Sequence, residues 1–539
     1  MNRSGISTAV LSAVLLTAPV IALLFLGWQW FGLAFAPFDL FDSLSRVLPG
    51  PVITHSIEAM ISVIRALHLG STASVAKSAE QAIAVSLFLI FLVLAGALFL
   101  VLTRRLRGAT AYTSGLFLGA VIAFLLVLPI ANGRTGRISP AAGVFWTLLL
   151  LALWGLLLGW LHARLFASSP AQARPARMDA VGRRQILIRL GEASAVLTVA
   201  GAVVGALPRG KRPEKVAAAL SNNPPARWSE TNRLPNADAA IKPAPGTRPE
   251  FTPLESHYRI DINTVPPTIQ AEDWKLRITG LVERPREFTL DEIRKFDPMH
   301  QFVTLSCISN LIAGDLIGTT RWTGVSMQRI LQEVRPRPNA THLKVRSADD
   351  FYEIVTLDTI RSDGRVMLTH AWDGVPLTAE HGFPLRIYIP DRYGMKQPKW
   401  IQSIEFLDHS EKGYWVKRGW DAEARMRATS VIDTMSSNMM IAEGTGGSVI
   451  PIGGIAHAGA RGISKVEVRV DREPWREAQL RTPLSGTTWV IWRFDWPFKA
   501  GRHTFTVRCF EGNGTPQITA EAPPHPSGAT GLHSLTAML

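Results

Sequence analysis

The chain has 539 residues, too many for one ordinary hydrophobic core, so the length predicts two or more domains. The net charge of +14 would suit a nucleic-acid-binding protein if it were spread over a soluble domain. However, residues 1–208 hold 15 Lys and Arg against 6 Asp and Glu, whereas residues 209–539 hold 42 against 37. The excess belongs to the apolar N-terminal part, which excludes nucleic acid as a partner.

The first 208 residues contain apolar stretches long enough to cross a membrane. A hydrocarbon core of about 30 Å requires roughly 20 apolar residues in a helix. Five stretches approach this length: 7–31, 82–103, 111–131, 142–163 and 188–207. Trp28, Trp30 and Trp160 lie at segment ends, where aromatic belts form. A signal peptide would explain only the first stretch, so we predict an all-α transmembrane region of about five helices over 1–208.

Arginines are concentrated in the loops after the second and fourth predicted spans. They are Arg104, Arg105 and Arg107 in the first of these loops, and Arg164, Arg174, Arg177, Arg183 and Arg184 in the second. The positive-inside rule makes these loops cytoplasmic. The sequence therefore predicts a multi-pass protein of the cell membrane, with its N-terminus in the cytoplasm and everything after residue 208 outside.

Arg183 and Arg184 precede a moderately apolar segment, 190–207. This arrangement resembles the twin-arginine signal that exports folded proteins. An ordinary positive-inside pair explains the two arginines equally well, so both interpretations stay open.

Residues 209–250 form a predicted linker, because they are rich in Pro, Ala, Asn and Arg and lack periodicity. Residues 251–424 are predicted as an α+β domain. Thr289 and Glu292 form a capping box that begins a helix, and Ser326 begins another. Strands are predicted at 274–280, 342–347, 352–357 and 385–389.

Residues 425–539 have the short alternating strands and frequent turns that are typical of a β-sandwich. A valine stands at every second position from 466 to 470. Cys509 shares a face with Val507, so it is predicted to lie in the core. A disulfide between Cys307 and Cys509 is not expected, because the two cysteines belong to different predicted domains.

Cys307 ends an apolar, strand-like run and enters a loop rich in Ser, Asn and Gly. Because only the thiolate is chemically potent, a lone thiol at a strand end suits a metal ligand or a nucleophile. A buried structural cysteine, which behaves as a small hydrophobe, is the alternative. This stretch alone favours the structural interpretation, whereas the rest of the chain favours a metal ligand or a nucleophile.

Four segments in the same order resemble the sulfite oxidase family of molybdenum enzymes. They are Leu-Ser-Cys-Ile-Ser-Asn at 305–310, Ile-Gly-Thr-Thr-Arg-Trp-Thr-Gly at 317–324, His-Gly-Phe-Pro-Leu-Arg at 381–386 and Tyr-Gly-Met-Lys-Gln-Pro-Lys-Trp at 393–400. The resemblance covers almost all of 251–530. It implies a molybdopterin-binding catalytic domain, followed by the family's immunoglobulin-like dimerisation sandwich.

By this resemblance, Cys307 is the protein ligand to molybdenum, which is also held by the dithiolene of one molybdopterin per chain. Asn310 matches the asparagine that the family has three residues after its cysteine. The expected contacts to the pterin and its phosphate are Asn263, Asn310, His381, Arg386, Lys396 and Lys399. Among these, a solvated surface charge is the favoured interpretation of Lys396.

The resemblance implies two-electron oxygen-atom transfer, either sulfite-type oxidation or reduction of an S- or N-oxide. Leu311 and Ile312 stand where the family has arginines for an anionic substrate, and His370 replaces a tyrosine. These departures weaken sulfite as the substrate. His370 would donate a proton, or serve only in packing, and Arg321 would supply positive charge.

The alternative is a catalytically inactive membrane protein that uses the enzyme fold and the sandwich to bind a partner. The joint presence of Cys307, Asn310, Arg386 and Lys399 favours the enzyme. The expected partners are a small oxyanion, S-oxide or N-oxide, the membrane, and an external electron carrier such as a quinone, a cytochrome or a membrane partner. The sandwich favours a homodimer, and the catalytic domain is expected to be extracytoplasmic.

Overall fold

The computed structural model describes residues 3–67, 70–103, 109–133, 135–165, 176–207, 226–435, 441–443 and 447–539. The chain forms two compact units that are interleaved in sequence. The first contains Met1–Leu48, Ala76–Lys215 and Ile262–Thr268. The second contains Pro49–Val75, Val216–Asp261 and Ile269–Leu539.

The N-terminal part of the chain is helical. In chain order its helices are α1 (Arg3–Phe31), α2 (Ala36–Val47), α3 (Gly50–Ala66), α4 (Thr72–Leu102), α5 (Ala109–Leu125), α6 (Val127–Asn132), α7 (Pro140–Leu165) and α8 (Ala176–Ala206). Within the described residues, five helical segments are long and apolar enough to cross a membrane, which confirms the predicted number. They are Ile6–Phe31, Thr72–Leu102, Ala109–Asn132, Pro140–Leu165 and Arg184–Ala206.

The helices α5 and α7 pack closely because both have glycine at their contact. A Cβ atom at Gly115 would lie 2.3 Å from the carbonyl oxygen of Gly155, and one at Gly155 would lie 2.2 Å from that of Gly115. One turn away on each helix, Gly119 approaches the carbonyl oxygen of Leu151 and Gly159 approaches that of Ala111. Small residues spaced by four allow helix backbones to approach in membranes, where the hydrophobic effect does not drive association.

The second unit begins its sheet-rich part after the short helix α9 (Trp228–Thr231). The strands that follow are β1 (Lys275–Gly280), β2 (Arg286–Thr289), β3 (Met299–Ser306), β4 (Ile317–Ser326), β5 (His342–Ser347), β6 (Tyr352–Thr356), β7 (Met367–Trp372), β8 (Val375–Pro376), β9 (Arg386–Tyr388) and β10 (Ile401–Leu407). Three short helices lie between them: α10 (Leu290–Arg294), α11 (Met327–Val334) and α12 (Leu357–Ser362).

These strands form two sheets around one hydrophobic core. The first sheet has the order β2-β1-β10-β5-β6, with β1 parallel to β10 and the other neighbours antiparallel. The second has the order β3-β4-β7-β8, with β9 also paired to β7. Leu276 and Ile404 from the first sheet and Val303 and Leu368 from the second belong to the same buried cluster. The Cys307 loop connects β3 and β4, and Cys307 itself belongs to this buried cluster.

The last fifth of the chain consists of further strands. They are β11 (Thr429–Met435), β12 (Ile441–Glu443), β13 (Gly447–His457), β14 (Ile463–Val470), β15 (Arg476–Glu477), β16 (Gln479–Leu480), β17 (Val490–Pro497), β18 (Arg502–Glu511) and β19 (His533–Met538). One sheet has the order β11-β13-β17-β16, with β12 on β13, and the other has the order β15-β14-β18-β19. Ile452 and Trp492 of the first sheet share a buried cluster with Val468 and Cys509 of the second. Both cysteines of the chain are free and buried.

The described part of the predicted linker, residues 226–250, has little regular structure but is held in place by a buried polar network. The guanidinium of Arg481 donates to a Glu250 oxygen at 2.9 Å and to the carbonyl of Asn236 at 2.8 Å. The amide of Asn236 donates to the other Glu250 oxygen at 2.6 Å. These charge-assisted bonds fix the segment against the sheet that contains β16 and β17.

Candidate functional site

Cys307 directly follows β3 and begins a loop that hydrogen bonds tie at both ends. Its N–H donates to the carbonyl of Leu316 at 3.0 Å, and the N–H of Asn310 donates to the carbonyl of Cys307 at 3.1 Å. The side-chain oxygen of Asn310 accepts the N–H of Leu316 at 3.0 Å. The loop therefore holds the thiol at a fixed position at the end of a buried strand.

The thiol of Cys307 is 8% exposed, and its Sγ lies 3.0 Å from the hydroxyl of Ser309. Burial raises the pKa of the thiol, whereas the hydrogen bonds of Ser309 lower it. A buried thiol becomes a thiolate when a cation replaces its proton. The local environment is therefore compatible with a metal ligand and unfavourable for a free, metal-independent thiolate.

A buried pocket of aromatic rings and cationic side chains occurs in the second unit. The guanidinium of Arg386 lies 4.8 Å from the ring centroid of Trp322. The ring of His381 lies 4.3 Å from that of Trp372, and the ring of His257 lies 5.5 Å from His381 and 5.6 Å from Trp372. All five side chains are buried.

Arg386 carries its charge in this pocket without a neutralising carboxylate. Its Nη1 donates to the carbonyl of His381 at 3.3 Å, and in the described residues no carboxylate forms an ion pair with it. Burial lowers the pKa of the guanidinium to about 10. A buried cation in this state is stabilised when an anionic ligand binds to it.

A second cation, Lys399, occurs beside the first. Its ammonium group donates to Asp261 at 3.0 Å and to the carbonyl of Glu380 at 2.9 Å. Asp261 also accepts a hydrogen bond from Arg259 at 2.8 Å, so the same carboxylate accepts hydrogen bonds from two cations. Burial lowers the pKa of Lys399 to about 8, although Asp261 opposes this effect. Arg386 remains the cation of this group that has no carboxylate partner among the described residues.

The pocket also has polar atoms and backbone positions that point to a ligand. His257 Nε2, Trp322 Nε1 and Trp372 Nε1 are buried and have no hydrogen-bond partner among the described residues. Gly382 has a φ of +106°, and a Cβ atom there would lie 3.0 Å from the Cβ of Lys399. Glycine is required where a chain in this conformation approaches neighbours so closely. Buried polar atoms are normally satisfied, so these donors and acceptors suit a bound polar molecule.

Tyr258 connects this pocket to the Cys307 loop. The phenol is buried, and its pKa is raised first by burial and then by the nearby Cys307 thiol, whereas Arg386 lowers it. A Cβ atom at Gly394 would lie 3.1 Å from the Tyr258 oxygen and 3.5 Å from the carbonyl of Ser306. The thiol and the cationic pocket are therefore parts of one site, which suits a large ligand with an anionic group and a metal-binding group.

Comparison with known proteins agrees with this description. Residues 262–415 match the family described as an oxidoreductase molybdopterin binding domain. The sulfite oxidase of Arabidopsis thaliana is 23% identical over 288 residues, which cover 44% of this chain and 72% of the relative. The protein-methionine-sulfoxide reductase catalytic subunit MsrP of Ralstonia nicotianae is 24% identical over 237 residues, covering 40% and 70%.

By these matches, the chain resembles the sulfite oxidase family of molybdopterin oxidoreductases. It is similar also to the "Putative protein-methionine-sulfoxide reductase subunit YedZ1" of Azospira oryzae, at 30% identity over 153 residues. That match covers 28% of this chain and 56% of the relative, so the chain spans just over half of that protein.

The residues of the pocket fit the molybdopterin cofactor that this family uses. A phosphate requires cationic donors, which Arg386 and Lys399 supply. His257, Trp322 and Trp372 have unused polar atoms for the heteroatoms of a pterin. The uncompensated charge of buried Arg386 is the feature that fits best, because an anion would offset it.

Two of the predicted cofactor residues bond to other protein groups. Asn263 belongs to the first unit, where its side-chain oxygen accepts a bond from Arg46 at 2.9 Å and its carbonyl accepts one from Lys77 at 2.7 Å. Lys396 is buried and pairs with Glu353 at 2.9 Å. The interpretation of Lys396 as a solvated surface charge is wrong, because Glu353 compensates the charge inside the protein.

Two predicted catalytic residues lie away from Cys307. His370, in β7, has Arg294 and His300 as its electrostatic neighbours, and burial lowers its pKa to about 4. His300 is at the start of β3 and Cys307 follows the end of that strand, so the pairing of strands does not bring His370 to the Cys307 loop; its role as proton donor stays a prediction. Arg321 pairs with Phe302 across β3 and β4. Its guanidinium lies 5.1 Å from the ring of Trp228, and its catalytic role also stays a prediction.

A small cavity adjoins the other side of the Cys307 loop. Its volume is about 30 Å³, and Ser306 and Asn310, which flank Cys307 in sequence, line it. Arg248 and Arg427 also line the cavity. Arg248 is paired with Asp433 at 2.6 Å, whereas Arg427 forms no ion pair in the described part of the chain and donates to the carbonyl of Ser527 at 3.2 Å.

Sequence reasoning missed several residues of the pocket, above all His257, Tyr258, Trp322 and Trp372. Tyr258 begins the segment, 258–264, from which Asn263 was chosen, and His257 immediately precedes it. Trp322 lies in one of the four segments that carry the family resemblance. Trp372 had no signal of its own, because its position depends on the pairing of β4 with β7.

Proposed function

We propose that this chain is a membrane-anchored oxidoreductase that catalyses two-electron oxygen-atom transfer, with Cys307 as the protein ligand to molybdenum. The observation that carries the proposal is the buried cationic pocket joined to the Cys307 thiol through Tyr258. When bound, molybdopterin supplies a metal that changes its oxidation state by two electrons. Arg386 and Lys399 would hold the phosphate, and the Cys307 loop would orient the metal-binding thiolate and exclude water from it.

The cavity beside Cys307 favours reduction of a neutral S-oxide or N-oxide over oxidation of sulfite. Asp433 neutralises Arg248, so Arg427 is the main uncompensated cation of the cavity wall. Leu311 and Ile312 make another part of that wall apolar. A dianion would be poorly stabilised here, whereas a polar but uncharged oxide would meet one donor and an apolar surface. Two of the related proteins carry methionine-sulfoxide reductase in their names.

The remaining features of the proposal concern the rest of the chain. We infer that the catalytic domain, 251–424, is on the outer side of the cell membrane and receives electrons from a quinone, a cytochrome or a membrane partner. We infer also that 425–539 is an immunoglobulin-like sandwich that supports a homodimer. The two C-terminal sheets with a common core support the second inference.

The first experiment measures molybdenum and pterin in purified protein, together with Cys307→Ser and Cys509→Ser. We expect about one of each per wild-type chain. Cys307→Ser should lose at least 99% of turnover while the chain still inserts and folds, because serine is a poor ligand for a metal already bound by sulfur. Cys509→Ser, which changes the other buried free cysteine, should keep turnover in whatever fraction remains folded.

Wild-type turnover in Cys307→Ser would refute the ligand assignment. Protein without molybdenum or pterin, from a host that makes both, would instead support the partner-binding alternative. The direction of catalysis is tested by comparing kcat/KM for a methyl sulfoxide, with a reduced viologen, against that for sulfite, with an artificial acceptor. We expect the sulfoxide to be favoured at least tenfold, and the reverse preference would overturn the proposed direction.

A further inference from the structure

The first sheet of the second unit has one buried side and one exposed side. Leu276 of β1 and Val345 of β5 belong to the same buried cluster as Cys307. Because side chains alternate along a strand, their neighbours in sequence lie on the other side of the sheet, toward solvent. Four of these neighbours are cationic: Lys275 and Arg277 on β1, and Lys344 and Arg346 on β5.

One row of side chains crosses four strands on the exposed side. Ser403 of β10 stands between Arg277 and Arg346 in the register of the sheet. Arg346 in turn is opposite Tyr352 of the edge strand β6. Since neighbouring strands are about 4.8 Å apart, the two arginines are held about 10 Å from each other across the sheet. Both arginine side chains are exposed, so the sheet fixes two like charges on one surface.

Tyr352 has three cations around it at the end of this row. Its ring centroid lies 5.3 Å from the ammonium of Lys344, 5.6 Å from the guanidinium of Arg346 and 5.2 Å from the ammonium of Lys417. An aromatic ring attracts cations but carries no charge that would neutralise them. We call the surface formed by Tyr352 and the five cations the basic face; the cations are Lys275, Arg277, Lys344, Arg346 and Lys417.

Part of the charge on the basic face is compensated. Lys344 pairs with Glu411 at 2.6 Å and has Glu405 opposite it in β10. Lys275 pairs with Glu287 at 3.3 Å. The face nevertheless keeps positive charge that an acidic surface would offset. Its other three cations are exposed and form no ion pair in the described part of the chain: Arg277, Arg346 and Lys417.

The strand β6 connects the basic face to the Cys307 loop. Glu353, the residue after the tyrosine, is fully buried and accepts a hydrogen bond from Lys396 at 2.9 Å. Lys396 shares a short helical turn with Gly394. A Cβ atom at Gly394 would lie 3.5 Å from the carbonyl oxygen of Ser306, the residue before Cys307. One ion pair and two short chain segments thus join the face to the residue that we assign as the metal ligand.

We propose that the basic face binds an acidic protein that delivers electrons, one at a time, to the site at Cys307. The inference rests on the proposed reduction and specifies its external electron carrier. A substrate must reach the metal itself, whereas an electron can pass through packed protein. The buried cluster beneath the face, which includes Cys307, therefore suits an electron donor and not a substrate.

The chemistry of the face suits a protein partner of this kind. Arginine and tyrosine are enriched at protein interfaces, and complementary charge raises the rate at which partners associate. In one turnover two reduced carriers each lose one electron, and the S–O bond of the sulfoxide breaks. With two protons from solvent, these electrons yield one thioether and one water. Because a carrier must bind twice in each turnover, rapid association through charge is an advantage.

The test uses the loaded full-length protein in detergent and reduced flavodoxin, an acidic flavoprotein, as the probe. The variant combines Arg277→Glu with Arg346→Glu. The control combines Arg472→Glu with Arg502→Glu, which changes the net charge equally at two exposed arginines of the C-terminal sheets. Reduced methyl viologen, a small donor that needs no docking surface, measures the basal reduction of a methyl sulfoxide in each protein.

We expect kcat/KM for reduced flavodoxin to fall at least tenfold in the variant at low ionic strength, because steering by charge changes association rates by this factor or more. The rate with methyl viologen should stay within twofold of the wild type. The control should keep both rates. Added salt should lower kcat/KM for flavodoxin steeply in the wild type and much less in the variant, since salt screens exposed charges.

An equal loss in the variant and the control would overturn the proposal, because net charge and not this face would then be responsible. Absence of flavodoxin binding to the wild type would overturn it too. A third result would assign the face to lipid and contradict the proposal. In that case the variant keeps the flavodoxin kinetics but loses a dependence of the melting temperature on phosphatidylglycerol in nanodiscs.

Calorimetry of oxidised flavodoxin binding requires no turnover and separates this inference from the proposed function. Binding that the variant weakens, in a protein without sulfoxide turnover, would support the docking surface while refuting the proposed reduction. Sulfoxide turnover with methyl viologen, in a protein that does not bind flavodoxin, would refute the docking surface and leave the proposed reduction in place.

Discussion

The buried guanidinium of Arg386 stacks on Trp322 but, in the described parts of the second unit, lacks an ion-pair partner. Arg481 is the contrasting case, because its buried guanidinium bonds Glu250. An uncompensated buried charge destabilises a fold, whereas removing one member of a buried pair is itself destabilising. We therefore expect Arg386 to destabilise the folded state and the paired Arg481 to be needed for it, although both side chains are buried.

This contrast predicts opposite effects of the same substitution. Arg386→Met should raise the melting temperature of the cofactor-free protein and lower molybdopterin retention at least tenfold. Arg481→Met should lower the melting temperature, by an amount that corresponds to about 3–5 kcal/mol, without changing retention in the folded fraction. Calorimetry measures the melting temperature, and pterin fluorescence measures the retention of molybdopterin. Equal cofactor retention in the wild type and in Arg386→Met would contradict the assignment of Arg386 to the phosphate.

A second residue-scale prediction concerns Asp42 in α2, outside the membrane-spanning segments. Its carboxylate accepts bonds from the N–H and hydroxyl of Thr264 at 3.1 and 3.3 Å. Burial and then the charge of Glu80 raise its pKa from 3.8 to about 7, and the smaller effects of Arg46 and Lys77 oppose them. The folded state therefore binds the proton more tightly than the unfolded chain does.

The sign of the pH dependence follows from this difference. The stabilising contribution of protonated Asp42 is fully present below pH 3.8 and is lost as the pH rises to about 7. We expect the melting temperature of the protein in detergent to fall between about pH 4 and 7. Asp42→Asn, which cannot ionise, should flatten this decline. An unchanged pH profile in the variant would assign the decline to another group.

At the scale of elements, the pairing of α5 with α7 depends on glycines that leave no room for a side chain. Gly155→Val would place atoms against the backbone of Gly115, and overpacking of this kind costs about 1–3 kcal/mol. Gly191→Val in α8 is the control, because no described atom lies within 4 Å of the place that its Cβ would take. We expect a lower melting temperature in detergent only for Gly155→Val. Equal effects of the two substitutions would mean that β-branching in a helix, and not the close approach, is responsible.

The two predicted helix starts show how far local sequence determines an element. Thr289 and Glu292 form the predicted capping box, with the hydroxyl of Thr289 accepting the N–H of Glu292 at 3.2 Å. Ser326 does precede α11, but its side chain makes no capping bond. The capping bonds at the start of α10 join residues that are only three positions apart. The start of α11 instead follows from the end of strand β4, and local sequence does not specify where that strand ends.

At the scale of the whole molecule, the interpretation of Arg183 and Arg184 can be decided by export. The Arg184 side chain is exposed at the start of a candidate span, Arg184–Ala206, and the side chain of Arg183 lies outside the described residues. If the pair is a twin-arginine signal, changing both to Lys should keep the catalytic domain in the cytoplasm, although the charge is unchanged. Arg189→Lys is the matched control. Protease accessibility in spheroplasts measures the location, and normal external exposure of the double variant would leave the ordinary positive-inside interpretation.

The interleaving of the two units is also a property of the whole chain. Pro49–Val75, between two candidate spans, belongs to the second unit, and Ile262–Thr268 belongs to the first. The sequence did not predict this interleaving, because differences in composition can only divide the chain into consecutive segments. Asn263 shows the consequence: its segment resembled a cofactor contact, but its oxygen atoms bond Arg46 and Lys77.

The sequence by itself determined the features that depend on local pattern: the five apolar helices, several strand positions and the family that the Cys307 and His381–Arg386 segments indicate. Hydrophobic periodicity and short motifs encode these features within a few tens of residues. Only the tertiary structure decided which polar residues share a site. It grouped His257, Tyr258 and Trp372 with Arg386, placed His370 near His300, and brought Arg248 and Arg427 to the cavity beside the Cys307 loop. These relations depend on pairing between strands that are distant in sequence, and no local pattern specifies that pairing.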